Sequence, residues 1–164
     1  MTPTRFRELI ELLSSAKVEF IVVGGVAAGA LGSPRVTLDL DIVYRRNPEN
    51  LTKIVAALAP HQPYPRGAPP GLPFKWDART LQFGLNFTLE TSLGLVDLLG
   101  EVTGGGSYEK LLPHTIRLDV FGFSCLSLDL ETLIHVKRAA GRTKDFEAIA
   151  ELEMIREEQE KQQQ

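Results

Sequence analysis

Val22-Val23-Gly24-Gly25-Val26-Ala27-Ala28-Gly29-Ala30-Leu31-Gly32-Ser33-Pro34-Arg35-Val36-Thr37-Leu38-Asp39-Leu40-Asp41-Ile42-Val43-Tyr44 is the stretch on which the reading of this chain turns. The β-branched run Glu19–Val23 reads as a strand that ends in Gly24-Gly25. Val26–Leu31 reads as a short helix of small residues, broken by Gly32-Ser33-Pro34. Val36–Tyr44 reads as a second strand. Residues two apart on a strand share a face. Asp39 and Asp41 therefore point the same way, and the parity extends to Arg35 and Thr37. Leu38, Leu40 and Ile42 then face the core.

Outward from this stretch, Thr4 is placed to cap a helix through Ala16, with Phe6, Leu9, Ile10 and Leu13 on one face. Asn47-Pro48 opens a helix to about Leu58. Residues 60–73 hold six of the ten prolines, with Gly67 and Gly71, and read as a surface loop without regular structure. Leu81–Leu89 and Leu93–Leu99 read as a hairpin, and Thr103–Gly106 as a glycine-rich loop. Thr115–Val120 and Phe121–Leu128 make another strand pair. Asp129 caps a helix from Leu130 to Ala140 that Gly141 stops. A last helix starts near Thr143 and decays into a polar tail. Helices at both ends and adjacent hairpins between them predict an α+β fold, a mixed sheet flanked by helices. One domain covers residues 1–156, and residues 157–164 are expected to fray.

The 164 residues suit one domain, and at 43% hydrophobic they can bury a core. A net charge of -3 offers no basic field for nucleic acid, and no DNA partner is expected. The one cysteine, Cys125, permits no disulfide within the chain and reads as a small core residue. No segment approaches the roughly 18–20 apolar residues of a membrane span, and the first residues lack a signal-peptide layout, so a cytoplasmic location is expected. His61, His114 and His135 show no zinc spacing, and Gly-x-Gly-x-x-Gly and Gly-Lys-Ser/Thr motifs are absent. Trp76 reads as an anchor for the proline-rich loop, with stacking on a base as the alternative.

Asp39 and Asp41, side by side, repel unless something positive lies between them. Hard oxygen ligands suit Mg²⁺, which takes one or two carboxylates and completes its shell with water and phosphate. Asp97, inside Leu93–Leu99, costs several kcal/mol if buried without a partner. A metal shared with Asp39 and Asp41 compensates it; so does a salt bridge to an arginine. Two cations about 3.5–4 Å apart can stabilise both oxygens of an in-line displacement. Asp97 would then help deprotonate an attacking hydroxyl. Gly24-Gly25, at the start of a helix, offers backbone N–H groups to phosphate. Singly, each feature has a plainer reading: turn chemistry for the glycines, solvated edge-strand charges for the aspartates.

Their order along the chain resembles the DNA polymerase β-type nucleotidyltransferase superfamily: a strand, Gly-Gly or Gly-Ser, a spacer, Asp-x-Asp or Asp-x-Glu, and a later third carboxylate. Gly24 and Gly25 match the glycine motif, Asp39 and Asp41 the metal pair, and Asp97 the third ligand. Arg35-x-Thr37-x-Asp39-x-Asp41 resembles the small bacterial minimal branch, which includes toxins of toxin–antitoxin pairs. The segment with Lys137, Arg142, Lys144 and Asp145 resembles that branch too. The resemblance implies a polymerase β-like fold and transfer of a nucleoside monophosphate from a nucleoside triphosphate, ATP among the candidates, to an acceptor hydroxyl. The acceptor is RNA, protein or a small molecule. Asp39, Asp41 and Asp97 would be catalytic and hold two Mg²⁺ ions. Gly24, Gly25, Arg35, Thr37, Lys137, Arg142 and Lys144 would bind nucleotide. A toxin would imply an antitoxin partner. The second Gly of the glycine motif replaces the commoner Ser and so lacks a hydroxyl for phosphate. The alternative is a non-catalytic module that binds nucleotide or a partner on the same fold.

Overall fold

A computed structural model of the chain describes residues 3–143 and 145–163. Its helices are α1 (Phe6–Ser15), α2 (Gly24–Ala30), α3 (Pro48–Leu58), α4 (Ala78–Phe83), α5 (Tyr108–Leu111), α6 (Leu130–Ala140) and α7 (Asp145–Gln162). Its strands are β1 (Phe20–Val23), β2 (Asp39–Tyr44), β3 (Tyr64–Pro65), β4 (Asn86–Thr91), β5 (Gly94–Leu99), β6 (Glu101–Val102), β7 (Gly106–Ser107), β8 (Thr115–Val120) and β9 (Phe123–Leu128). Seven strands form one sheet in the order β3-β4-β5-β2-β1-β9-β8, and β6-β7 form a separate ribbon. Pairing is parallel at β2–β5 and β1–β9 and antiparallel elsewhere in the sheet. The mixed α+β architecture expected from the sequence is the one observed.

The central pair, β2 and β5, sets the site. Their alternation buries Leu40, Ile42, Val96 and Leu98 completely. Asp39, Asp41 and Asp97 take the opposite face, half-buried. The N-terminus holds this pair in place. The Thr4 hydroxyl donates to the Leu38 carbonyl and accepts from the Leu95 N–H at 3.1 Å. Thr4 is thus spent between two strands; Arg5 is the N-cap of α1, without a side-chain capping bond. Asn47 caps α3 by accepting from Asn50 N–H, as its sequence predicts.

Four expectations are corrected. The strand at Asp39 does not reach back to Val36. Val36 and Leu38 are 91% and 67% exposed, because the chain leaves the sheet before Asp39. Leu81–Phe83 is helical: Asp77 accepts from the Thr80 N–H and caps α4, and the strand begins only at Asn86. The proline-rich segment carries an edge strand, since Tyr64 and Pro65 pair with Glu90 and Leu89; an edge tolerates a proline. Part of the glycine-rich loop is the β6–β7 ribbon. Trp76 donates to the Val55 carbonyl at 3.0 Å and packs on the core, which makes it an anchor. Cys125 is a buried thiol, pushed above its ordinary pKa by burial. The last helix runs through Gln162.

Candidate active site

Parallel pairing of β2 with β5 places Asp41 directly beside Asp97, with Asp39 beside Leu95. Asp39 and Asp41 on β2 and the distant Asp97 on β5 offer one oxygen each within 4.8 Å of one another. Burial acts on them unequally. Asp41 is pushed up to about 8, first by desolvation and then by the charges of Asp39 and Asp97. Asp97 is also raised, chiefly by desolvation. One Asp41 oxygen, Oδ1, is buried with no hydrogen-bond partner among the described residues.

Gly24 closes one side of the cluster. Its φ of +66° suits glycine, and a Cβ there would collide with the Asp41 carboxylate. Gly25 is equally constrained. Its Cβ would stand 2.7 Å from both Cβ and Oγ1 of Thr37. Thr37 is in turn fixed by donating to the Asp39 carbonyl at 3.2 Å. The two glycines therefore let α2 start against the carboxylate strand.

Two cavities flank this junction. One, of about 260 Å³, is lined by Gly24, Asp41, Asn86, Glu101, Lys137 and Arg142, over apolar walls that include Leu99 and Val136. The other, of about 320 Å³, is lined by Gly25, Arg35, Thr37, Lys137, Arg142 and Asp145. Lys137 and Arg142 border both. Each pairs with Asp145, Arg142 through Nε at 2.7 Å and Lys137 through Nζ at 3.7 Å. Asp145 is buried, 4% exposed, and orients both cations. Lys144 lies outside the described residues.

Arg35 lies before β2, outside the strand whose parity was expected to place it. It borders the second cavity, yet its guanidinium pairs with Glu147 at 3.2 Å and Glu151 at 3.0 Å, both on α7. Strand parity carries no information about it, because residues 36–38 lie outside β2. The cation that does reach the aspartates is Arg66, which the sequence reading passed over. Its guanidinium lies 2.8 Å from Asp97 Oδ1 and 3.5 Å from Asp39 Oδ2. The salt bridge weighed for Asp97 is therefore present, inside the carboxylate cluster.

Three hard carboxylates, an unpartnered buried oxygen and a glycine that no side chain can replace fit a divalent cation. The fold has a counterpart among solved structures. The chain superposes on a lincosamide antibiotic adenylyltransferase, LnuA, solved with lincomycin bound, with a TM-score of 0.62, covering 94% of this chain and 99% of that one. The fold is that of a nucleotidyltransferase. At 14% identity, the likeness is one of architecture. No protein-family model matches the sequence, and no curated protein matches it. Among the described residues, no helix is long and apolar enough to cross a membrane.

Proposed function

We propose that the protein is a Mg²⁺-dependent nucleotidyltransferase that moves a nucleoside monophosphate from a nucleoside triphosphate to a hydroxyl of a small molecule. The observation that carries this reading is the convergence of Asp39, Asp41 and Asp97 on one face of two neighbouring strands, beside Gly24. A protein that only binds a partner has no need of three converging carboxylates, of which Asp41 is raised first by burial and then by the charges of the other two.

Asp39, Asp41 and Asp97 would hold the metal, which when bound neutralises phosphate charge and polarises the bond to be broken. Gly24 and Gly25, where a side chain would clash with Asp41 and Thr37, would let the first N–H groups of α2 meet phosphate oxygens. Lys137 and Arg142, held by Asp145, present positive charge to the same space. Asp97 would accept the proton of the attacking hydroxyl. Catalysis is then positioning and charge neutralisation. A small-molecule acceptor is favoured because the chain matches nearly the full length of an enzyme whose acceptor class is an antibiotic. The net charge of -3 gives no support to an RNA acceptor.

The test is incubation of the full chain with Mg²⁺ and each α-labelled nucleoside triphosphate, with separate pools of hydroxylated small molecules, total RNA and protein. Label in the small-molecule pool with release of pyrophosphate is the expected result. Label in RNA or protein moves the acceptor toward the toxin reading and an antitoxin partner. Triphosphate binding without label in any pool supports the non-catalytic module.

A further inference from the structure

The proline-rich loop carries a cation into the carboxylate cluster, and nothing in the proposed chemistry uses it. Arg66 follows β3, and its backbone N–H donates to Thr88 at 2.9 Å, which fixes where the side chain leaves the loop. Its Nη2 is shared between the Leu89 carbonyl at 3.1 Å and Asp97 at 2.8 Å. Its Nη1 faces Asp39. Its Nε is buried with no hydrogen-bond partner among the described residues. The guanidinium is thus held by charge with an incomplete set of hydrogen bonds. Beyond it, Gly67 and Gly71 have positive φ and face open space, while the Tyr64 hydroxyl ties the loop back by donating to the Pro69 carbonyl and accepting from the Leu72 N–H at 3.2 Å.

Resting on the nucleotidyltransferase reading, we propose that Arg66 is a resident counter-ion that a divalent cation displaces from Asp39 and Asp97, so that metal loading releases the proline-rich loop from the site. Mg²⁺ requires carboxylate oxygens at about 2.0–2.1 Å in near-octahedral geometry. Oxygens already engaged by the guanidinium are not free to adopt it, and two cations at this range repel. On the protein side, Arg66 surrenders two ion pairs and its bond to the Leu89 carbonyl, and gains hydration for a donor that has none.

The probe is Mn²⁺ with the full-length protein. Folded Arg66→Met should bind Mn²⁺ about tenfold more tightly than the unaltered protein, the scale on which one opposing charge shifts a carboxylate equilibrium. Arg66→Gln serves the same comparison if Arg66→Met does not fold. In the unaltered protein, Mn²⁺ should speed tryptic cleavage of the Arg66–Gly67 bond, followed by mass spectrometry against a peptide substrate in the same buffer. Unchanged or weaker affinity in the variant overturns the proposal, as does cleavage indifferent to Mn²⁺. Asp41→Asn separates the two readings. If it leaves Mn²⁺ binding intact, the metal assignment fails, and the nucleotidyltransferase reading with it. If it weakens binding while Arg66→Met has no effect, displacement alone fails.

Discussion

The two faces of β2 and β5 are built from the same dozen residues and obey opposite rules. On one, Leu40, Ile42, Val96 and Leu98 are wholly buried and hold the sheet to the core. On the other, Asp39, Asp41 and Asp97 crowd like charges together at a cost in stability. Strand alternation lets both coexist over Asp39–Ile42 and Val96–Leu98, where successive side chains take opposite faces. Stability is invested on the apolar face and spent on the acidic one, so substitutions on the two faces should separate activity from stability.

The largest expected effect is on the acidic face. Asp41→Asn should lower transfer by on the order of a thousandfold, the scale of losing a group that stabilises charge in a transition state. Its metal-free melting temperature should rise or hold, since a repulsion is removed. Pyrophosphate-release kinetics beside a thermal melt would check both, and retained activity breaks the distinction between the faces. Ile42→Ala, one residue away, should do the reverse. It should cost about 2–5 kcal/mol of stability and leave the rate per folded molecule unchanged. Chemical denaturation, with activity normalised to folded fraction, measures it.

This division was legible in the sequence because it depends on a period of two. Asp39 and Asp41 announced themselves by interrupting an apolar strand, and Asp97 by standing alone in another. Their meeting followed from the parallel register of β2 and β5, which local pattern does not encode. Arg66 was illegible for a different reason. A single cation among prolines has no periodicity, and its direction is set by a two-residue edge strand that proline content argues against. Asp77 was a signal within reach: an aspartate three residues before Thr80 caps α4, and weighing it would have kept Leu81–Phe83 out of the strand.

Protonation offers a subtler way to sharpen the comparison. Because Asp41 is raised to about 8 in the folded protein, the native state holds a proton that the unfolded chain releases near the ordinary carboxylate range. The stability this contributes is complete below that range and is lost as pH rises to about 8. Metal-free protein should therefore melt at progressively lower temperature up to about that pH, and Asp41→Asn should flatten the slope. A divalent cation competes with the same proton, so the melting shift it confers should grow over the same interval. Melts across pH, with and without Mg²⁺, give both; a slope that survives in Asp41→Asn would assign it elsewhere.

The smallest effect should come from Arg35, and its smallness is informative. The parity of Arg35-x-Thr37-x-Asp39 places it with the aspartates, whereas the fold turns it toward Glu147 and Glu151 on α7. Exposed ion pairs contribute little, and salt screens them. Arg35→Ala should leave the Michaelis constant for nucleoside triphosphate and the turnover unchanged, with a slight loss of melting temperature that disappears at high salt. A large rise in the Michaelis constant would mean that Arg35 leaves α7 for the triphosphate during turnover. The glycine-bounded cavity and the α7 clamp would then belong to one binding surface, and the boundary between the acidic face and its surroundings would shift from β2 to α7.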